Sequence, residues 1–375
     1  MTEASAFHGR LGVQQRVLPG YRALFFEILA GACTKGLGVF AGKALPTEAI
    51  ATAESIHQAH TFPAVNRHGF DPSSPLYFCV QENLLDWLNT WQPDALVVEA
   101  NPRYLGVSAA VRWMHVRQRP VLGWGLGAPF NRPVLAVLLN PLWRRFLGQF
   151  DALIAYSRRG AAQYSARGFP AERVFVAPNA AVPRPAGPPP TRPPVFGGAP
   201  CVLFVGRLQV RKRLDNLLRA CAALPSMLQP RLIVVGDGPE RATLEALAAA
   251  TYPRAEFVGA HSDAALEPFY AAADLFALPG TGGLAVQQAM AHALPVLVAR
   301  GDGTQDDLVR EENGWQIPPD DLPALTETLA LALGNVARLR AMGAESYRIV
   351  AAEVNLECMV GVFVAALRSC QSLRA

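Results

Sequence analysis

The 375-residue chain has no run of eighteen consecutive apolar residues, so its composition predicts no membrane-spanning helix. Its opening, Met1-Thr2-Glu3-Ala4, lacks the basic and apolar regions of a secretory signal, and a cytoplasmic location is expected. Seven histidines and six cysteines are scattered without zinc-like spacing, so neither a metal nor another cofactor is expected. Cys33, Cys79, Cys201, Cys221, Cys358 and Cys370 stand far apart, mostly inside apolar patterns, and are expected to be reduced, buried thiols. A net charge of +4 without Lys/Arg clusters along any one element argues against nucleic-acid binding.

What the chain does have is a hydrophobic content of 51% against 17% charged residues, the balance of a well-buried globular protein. Its length exceeds what one core usually supports. The segment 181–200 holds eight prolines and three glycines, which prevents regular structure and predicts a stiff connector. We therefore expect domains at 1–180 and 201–354 joined by this linker, with 355–375 forming a helix that returns toward the N-terminal domain. Strand-helix alternation in both halves predicts two parallel α/β sheets, each Rossmann-like, facing across a cleft.

The most informative stretch is Leu203 to Leu208, Leu-Phe-Val-Gly-Arg-Leu, followed by Lys212. Cys201–Val205 is a short apolar run bounded by turn residues, as in a strand buried on both faces. Gly206 permits a sharp exit, and ligands of open α/β sheets sit beyond the carboxyl ends of strands, which is where Arg207 falls. A planar guanidinium with a mobile ammonium suits a diphosphate. Two further strand-to-glycine junctions follow, Leu232 to Glu240 around Gly236 and Gly238, and Asp274 to Leu284 around Gly280, Thr281, Gly282 and Gly283. Such loops leave unpaired N–H groups that favour an anion.

Together these residues resemble the C-terminal domain of retaining glycosyltransferases of the GT-B fold, group four. The resemblance rests on Val205-Gly206-Arg207-Leu208 with Lys212, Val235-Gly236-Asp237-Gly238-Pro239, Phe257-Val258-Gly259, Ala273-Asp274-Leu275-Phe276, Gly283-Leu284 with Ala289-Met290-Ala291, Leu294-Pro295-Val296 and Asn313-Gly314. It covers residues 201–370 well and the N-terminal half more loosely. It implies a nucleoside-diphosphate-sugar donor with Arg207 and Lys212 on the diphosphate. Donor contacts would come from Gly206, Gly236, Gly238, Val258, Gly259, Gly280, Thr281, Gly282, Gly283, Leu284 and Gln288. The acceptor would be a glycan or a lipid-linked acceptor. The family usually carries two glutamates eight positions apart around this glycine loop, and here those positions read Gly280 and Gln288. Gln288 retains an acceptor and donors for ribose hydroxyls, whereas Gly280 offers no side chain. This departure keeps open a non-catalytic subunit that binds and stabilises a partner. A nucleotide-sugar epimerase would need an acid and a base, and no convincing pair is visible.

In the N-terminal half, strands are predicted at Gln14–Leu18, Leu37–Phe40, Leu76–Val80, Ala95–Glu99, Val121–Trp124, Ala152–Ala155 and Val174–Ala177. The loops at their ends single out Gly20, Tyr21 and Arg22, then Glu99, Asn101 and Arg103, as acceptor contacts. Arg22 and Arg103 suit an acceptor phosphate, and Glu99, costly to bury unpaired, suits an acceptor hydroxyl. Residues 1–180 hold 17 Lys or Arg against 11 Asp or Glu, and five of the six tryptophans. A basic, Trp-rich face around Arg132–Phe150 is therefore a candidate contact with the cytoplasmic membrane surface.

Overall fold

A computed structural model describes residues 6–372 except 49, 54, 73, 129–132, 262, 283 and 302. The chain divides into two compact units, Met1–Ala181 with Leu356–Ala375, and Val182–Asn355.

The first unit is built on short apolar strands whose residues are buried on both faces, the pattern of a sheet covered by helices. The strands are β1 (Leu11–Val17), β2 (Leu37–Gly42), β3 (His60–Pro63), β4 (Val65–Gly69), β5 (Phe78–Glu82), β6 (Ala95–Glu99), β7 (Val121–Gly125), β8 (Ala152–Ala155) and β9 (Val174–Val176). Seven of them form one sheet in the order β3-β2-β1-β6-β7-β8-β9, every pair parallel. The strand expected at Leu76–Val80 begins two residues later and lies outside that sheet, as β5 in an antiparallel pair with β4. Neither β3 nor β4 is evident in the sequence. Both are mostly exposed and lack the apolar run that marks a buried strand.

Helix Leu356–Ser372 belongs to this unit. Its Met359, Val360, Phe363 and Leu367, spaced along one helical face, enter the core. Phe363 meets Trp124 edge-on at 4.9 Å and Phe25 at 5.1 Å. By length and composition Val336–Gln371 would suffice to cross a membrane, yet more than half of its apolar window is buried, and the helix is interrupted at 353–355. Of the suggested membrane face, Arg132 and the side chains of 133–139 lie outside the described residues. In the remainder Leu142 is exposed, while Trp143 and Phe146 pack on the core.

The second unit carries β10 (Cys201–Val205), β11 (Arg231–Val235), β12 (Ala255–Gly259), β13 (Leu275–Leu278), β14 (Val296–Ala299) and β15 (Gly314–Ile317). They form a parallel sheet in the order β12-β11-β10-β13-β14-β15. Strand order reverses between β10 and β13, so the connections leaving their carboxyl ends diverge to opposite faces and open a crevice there. Residues 182–200 contain no helix or strand, but they pack on this unit through Phe196 and through Arg192, which donates to the carbonyls of Tyr270 and His292.

Candidate functional site

At the carboxyl end of the second sheet, three loops meet backbone to backbone. Gly206 N donates to Val235 O at 3.0 Å, Leu208 N to Asp237 O at 2.9 Å, and Glu240 N to Leu208 O at 3.1 Å. A Cβ at Gly236 would overlap the Gly206 carbonyl oxygen, and its φ of +145° also favours glycine. Gly236 N in turn donates to Gly259 O at 2.8 Å, bringing the end of β12, with Val258, to the same edge. The loop after β13 is held likewise: Thr281 N donates to Arg211 O at 3.0 Å, and a Cβ at Gly280 would overlap that carbonyl and the Lys212 backbone.

Lys212 lies on the single helical turn Val210–Lys212, ahead of helix Leu214–Ala223 rather than inside it. Its ammonium rests against Gly282, where a Cβ would collide with Nζ. Among the described residues no carboxylate pairs with it. Burial, with a smaller contribution from Arg211, pushes its pKa down to about 8. This is a partly desolvated cation facing a glycine loop, which an anion would stabilise. Arg207 is exposed on the neighbouring loop. Two positioning residues were not evident in the sequence. Gln305, only 1% exposed, donates to Gly282 O at 2.7 Å, and Arg211 donates to Thr281 Oγ1 at 3.3 Å. An isolated Gln after a glycine turn carries no signal of its own. Gly283 lies outside the described residues, and Leu284 begins the helix Leu284–Ala291.

On that helix Gln288 accepts from Tyr270 Oη at 3.2 Å, leaving its amide NH2 without a partner among the described residues. The preceding Gln287 is fully buried. It accepts from Val182 N at 3.2 Å and donates to Val354 O at 3.0 Å, tying together the first and nearly the last residue of the second unit.

The residues singled out in the first unit gather around the ends of β1 and β6. Gly20 N donates to Ala51 O at 2.8 Å, and Tyr21 is exposed. Arg22 departs from expectation: it is 3% exposed, its guanidinium 4.9 Å from the Trp124 ring centroid and 5.3 Å from Tyr156, with Nη2 donating to Asn179. Cation–π contacts and this hydrogen bond account for its charge and leave no face for a phosphate. Glu99 accepts from Arg16 N, and burial pushes its carboxyl up to about 7 against the pull of Arg16 and Arg22. Its own N–H donates to Gln14 Oε1 at 3.1 Å. Arg16 forms a double hydrogen bond with Glu48, at 2.9 and 2.6 Å. Asn101 closes a turn by accepting from Arg103 N at 3.1 Å, and Arg103 itself is exposed. Arg16, Glu48 and Gln14 are not evident in the sequence, because Gln14 and Arg16 sit in a strand pattern and Glu48 in the short helical turn Pro46–Glu48, none with motif spacing. Five of the six cysteines are buried, and Cys358 is partly so. Among the described residues no three His, Cys, Asp or Glu gather as a metal ligand set.

Residues 199–335 match the model of the family described as glycosyl transferases group 1. The sulfoquinovosyl transferase SQD2 of Arabidopsis thaliana is 36% identical over 118 residues, 31% of this chain and 22% of that protein. A GDP-mannose-dependent alpha-mannosyltransferase of Mycobacterium tuberculosis is 36% identical over 126 residues, 32% of this chain and 31% of that one.

The matched part of this chain spans less than a third of the length of these curated relatives. Over nearly the whole chain the likeness is structural: HepE of Anabaena, solved in complex with UDP, superposes with a TM-score of 0.72 at 16% identity, covering 96% of this chain and 99% of that one. The fold is therefore GT-B, two parallel-sheet α/β units. The matched residues 199–335 contain every loop that meets at the carboxyl edge of the second sheet, including Arg207, Lys212 and the glycines packed against them.

Proposed function

We propose that the protein is a retaining glycosyltransferase that moves a hexose-like unit from a nucleoside-diphosphate-sugar to a glycan or lipid-linked acceptor. The observation that carries this reading is the half-buried Lys212 ammonium laid against Gly282 with no carboxylate partner among the described residues. Arg207 and Lys212 would hold the donor diphosphate and stabilise the charge that grows on it as the sugar leaves. N–H groups of the Gly280–Leu284 loop other than that of Thr281, which donates to Arg211 O, and the free amide of Gln288 would complete the donor contacts. Glu99 would accept a hydrogen bond from an acceptor hydroxyl, with Gly20, Tyr21, Asn101 and Arg103 around it. The departing phosphate would take the acceptor proton, so the scheme requires no protein base and no cofactor. We further propose a peripheral contact with the cytoplasmic membrane face if the acceptor is lipid-linked.

A non-catalytic role draws support from one observation, that the Gly280 position has no room for the side chain the family usually places there. The two readings separate in one experiment. UDP, GDP, ADP and CMP are each tested for a rise in Tm, in the wild type and in the Arg207→Ala/Lys212→Ala variant, because a ligand bound only to the folded state raises its stability. A nucleotide-specific rise that the variant loses supports the donor site. No rise with any nucleotide refutes the transferase reading and leaves the partner-binding one.

A further inference from the structure

The open edge of the second sheet carries a cavity of about 560 Å³ that the proposed chemistry does not use. It lies between β15, the last strand in the sheet, and the helices Leu322–Leu333 and Val336–Ala352. None of the glycine-loop residues lines it. Its size falls in the range of small-molecule sites, about 300–1,000 Å³.

Its lining is cationic. Arg300, Arg310 and Arg338 all face it, against the single carboxylate of Glu311. Arg310 is committed to Glu353, with Nη2 to Oε2 at 2.5 Å. Arg300 and Arg338 have no ion-pair partner among the described residues. Arg338 lies 5.4 Å from the centroid of the Trp315 ring, and Trp315 also lines the cavity. The indole N–H of Trp315 is buried and donates to nothing among the described residues. Two guanidinium groups without an ion-pair partner among the described residues thus meet in one cavity, and both are donors. What they have in common is affinity for an oxyanion.

We propose that this cavity is a second binding site, separate from the donor loops, for a sugar-sized molecule bearing a phosphate or carboxylate group. Arg300 and Arg338 would hold the oxyanion, and the Trp315 ring would lie beside the same ligand.

The test uses the full chain with Arg207→Ala and Lys212→Ala in place, so that a phosphate cannot report on the donor loops. Inorganic phosphate, a hexose monophosphate and glucuronate are titrated separately by calorimetry at fixed ionic strength. The indole N–H resonance that disappears in Trp315→Phe is followed by NMR in the same titrations. The expected result is saturable binding of at least one probe, a shift of that resonance, and at least tenfold weaker binding after Arg300→Gln with Arg338→Gln. Both arginines are exposed, so Tm should be unchanged by their replacement. If the double replacement fails to fold, Arg300→Gln alone carries the same expectation of weaker binding. A response to the phosphates alone or to glucuronate alone supports the site and identifies its oxyanion. No binding of any probe, or binding equally tight without the two arginines, overturns the proposal. Because the donor cations are already removed, the outcome is independent of whether the transferase reading holds.

Discussion

The lowered pKa of Lys212 should make the proposed donor site sensitive to pH in a range where little else in it titrates. With a free-site pKa of about 8, the ammonium form makes up roughly nine-tenths of the protein at pH 7 and one-tenth at pH 9. If a nucleoside diphosphate binds only that form, its Kd rises about tenfold between those pH values, which corresponds to about 1.4 kcal/mol. A terminal phosphate, ionising near about 6, is fully charged throughout. Stability of the free protein should move the other way. The folded pKa lies below the ordinary 10.5, so between pH 8 and 10.5 the unfolded chain binds more protons and this group's contribution to stability rises with pH. Calorimetric titration with the nucleotide that raises Tm, at pH 7, 8 and 9, measures the first effect. Lys212→Arg, charged at every accessible pH, should give a flat profile if it binds at all. A flat profile in the wild type, or the same tenfold loss in Lys212→Arg, refutes the assignment of Lys212 to the diphosphate.

Gly280→Glu, which restores the family's usual residue, should lower stability by roughly 1–3 kcal/mol, because its Cβ would overlap the Arg211 carbonyl. Tm and nucleotide response should fall together, and a stable variant with raised turnover would refute the steric argument. Arg22→Ala should cost about 2 kcal/mol or more in denaturant unfolding, since it empties the cage of Trp124, Tyr156, Tyr21 and Phe25 and leaves Asn179 without its donor. Activity per folded molecule should remain if Arg22 contacts no acceptor. Glu99 has a folded pKa near 7 against 4.5 ordinarily, so the folded state holds more protons between those values and its contribution to stability falls as pH rises through that window. Stability measured from pH 4.5 to 7 should decline less steeply in Glu99→Gln, and an identical slope would show that the carboxyl is not perturbed.

Legibility in the sequence followed how local the signal was. Buried parallel strands such as β6, β8 and β10 are marked by short apolar runs, so Ala95–Glu99, Ala152–Ala155 and Cys201–Val205 were located to the residue. The exposed β3 and β4 have no such mark, because long-range pairing rather than a hydrophobic pattern makes them strands. In the site, glycines and cations at strand ends were visible because position in an α/β sheet limits what they do. The side chains that set their geometry were not. Gln305 and Gln287 act through hydrogen bonds to backbone groups 23 residues away for the first and 67 and 105 for the second, which no local pattern encodes. Arg22 shows the opposite failure. It had the position of a ligand residue, but an aromatic environment contributed by four separate segments fixed it as part of the core.

Gly280 and Gln305 together change what the missing glutamate means. Were the loop loosely placed, a glycine at 280 would simply be a lost side chain. Instead it lies on the backbone of Arg211 and Lys212, Thr281 N donates to Arg211 O, and Gln305 holds the Gly282 carbonyl. The glycine permits that approach, and the approach sets the Lys212 ammonium against the loop. Removing the carboxylate and positioning the ammonium are therefore one structural event. On this argument Gln305→Ala, which spares every charge and every donor contact, should weaken nucleotide binding by releasing Gly282. Gln305→Glu should weaken it further, because a carboxylate cannot donate to a carbonyl oxygen and would place a negative charge beside the anion. If both variants fold and bind as the wild type does, the loop is not held as described, and Gly280 is only a deletion.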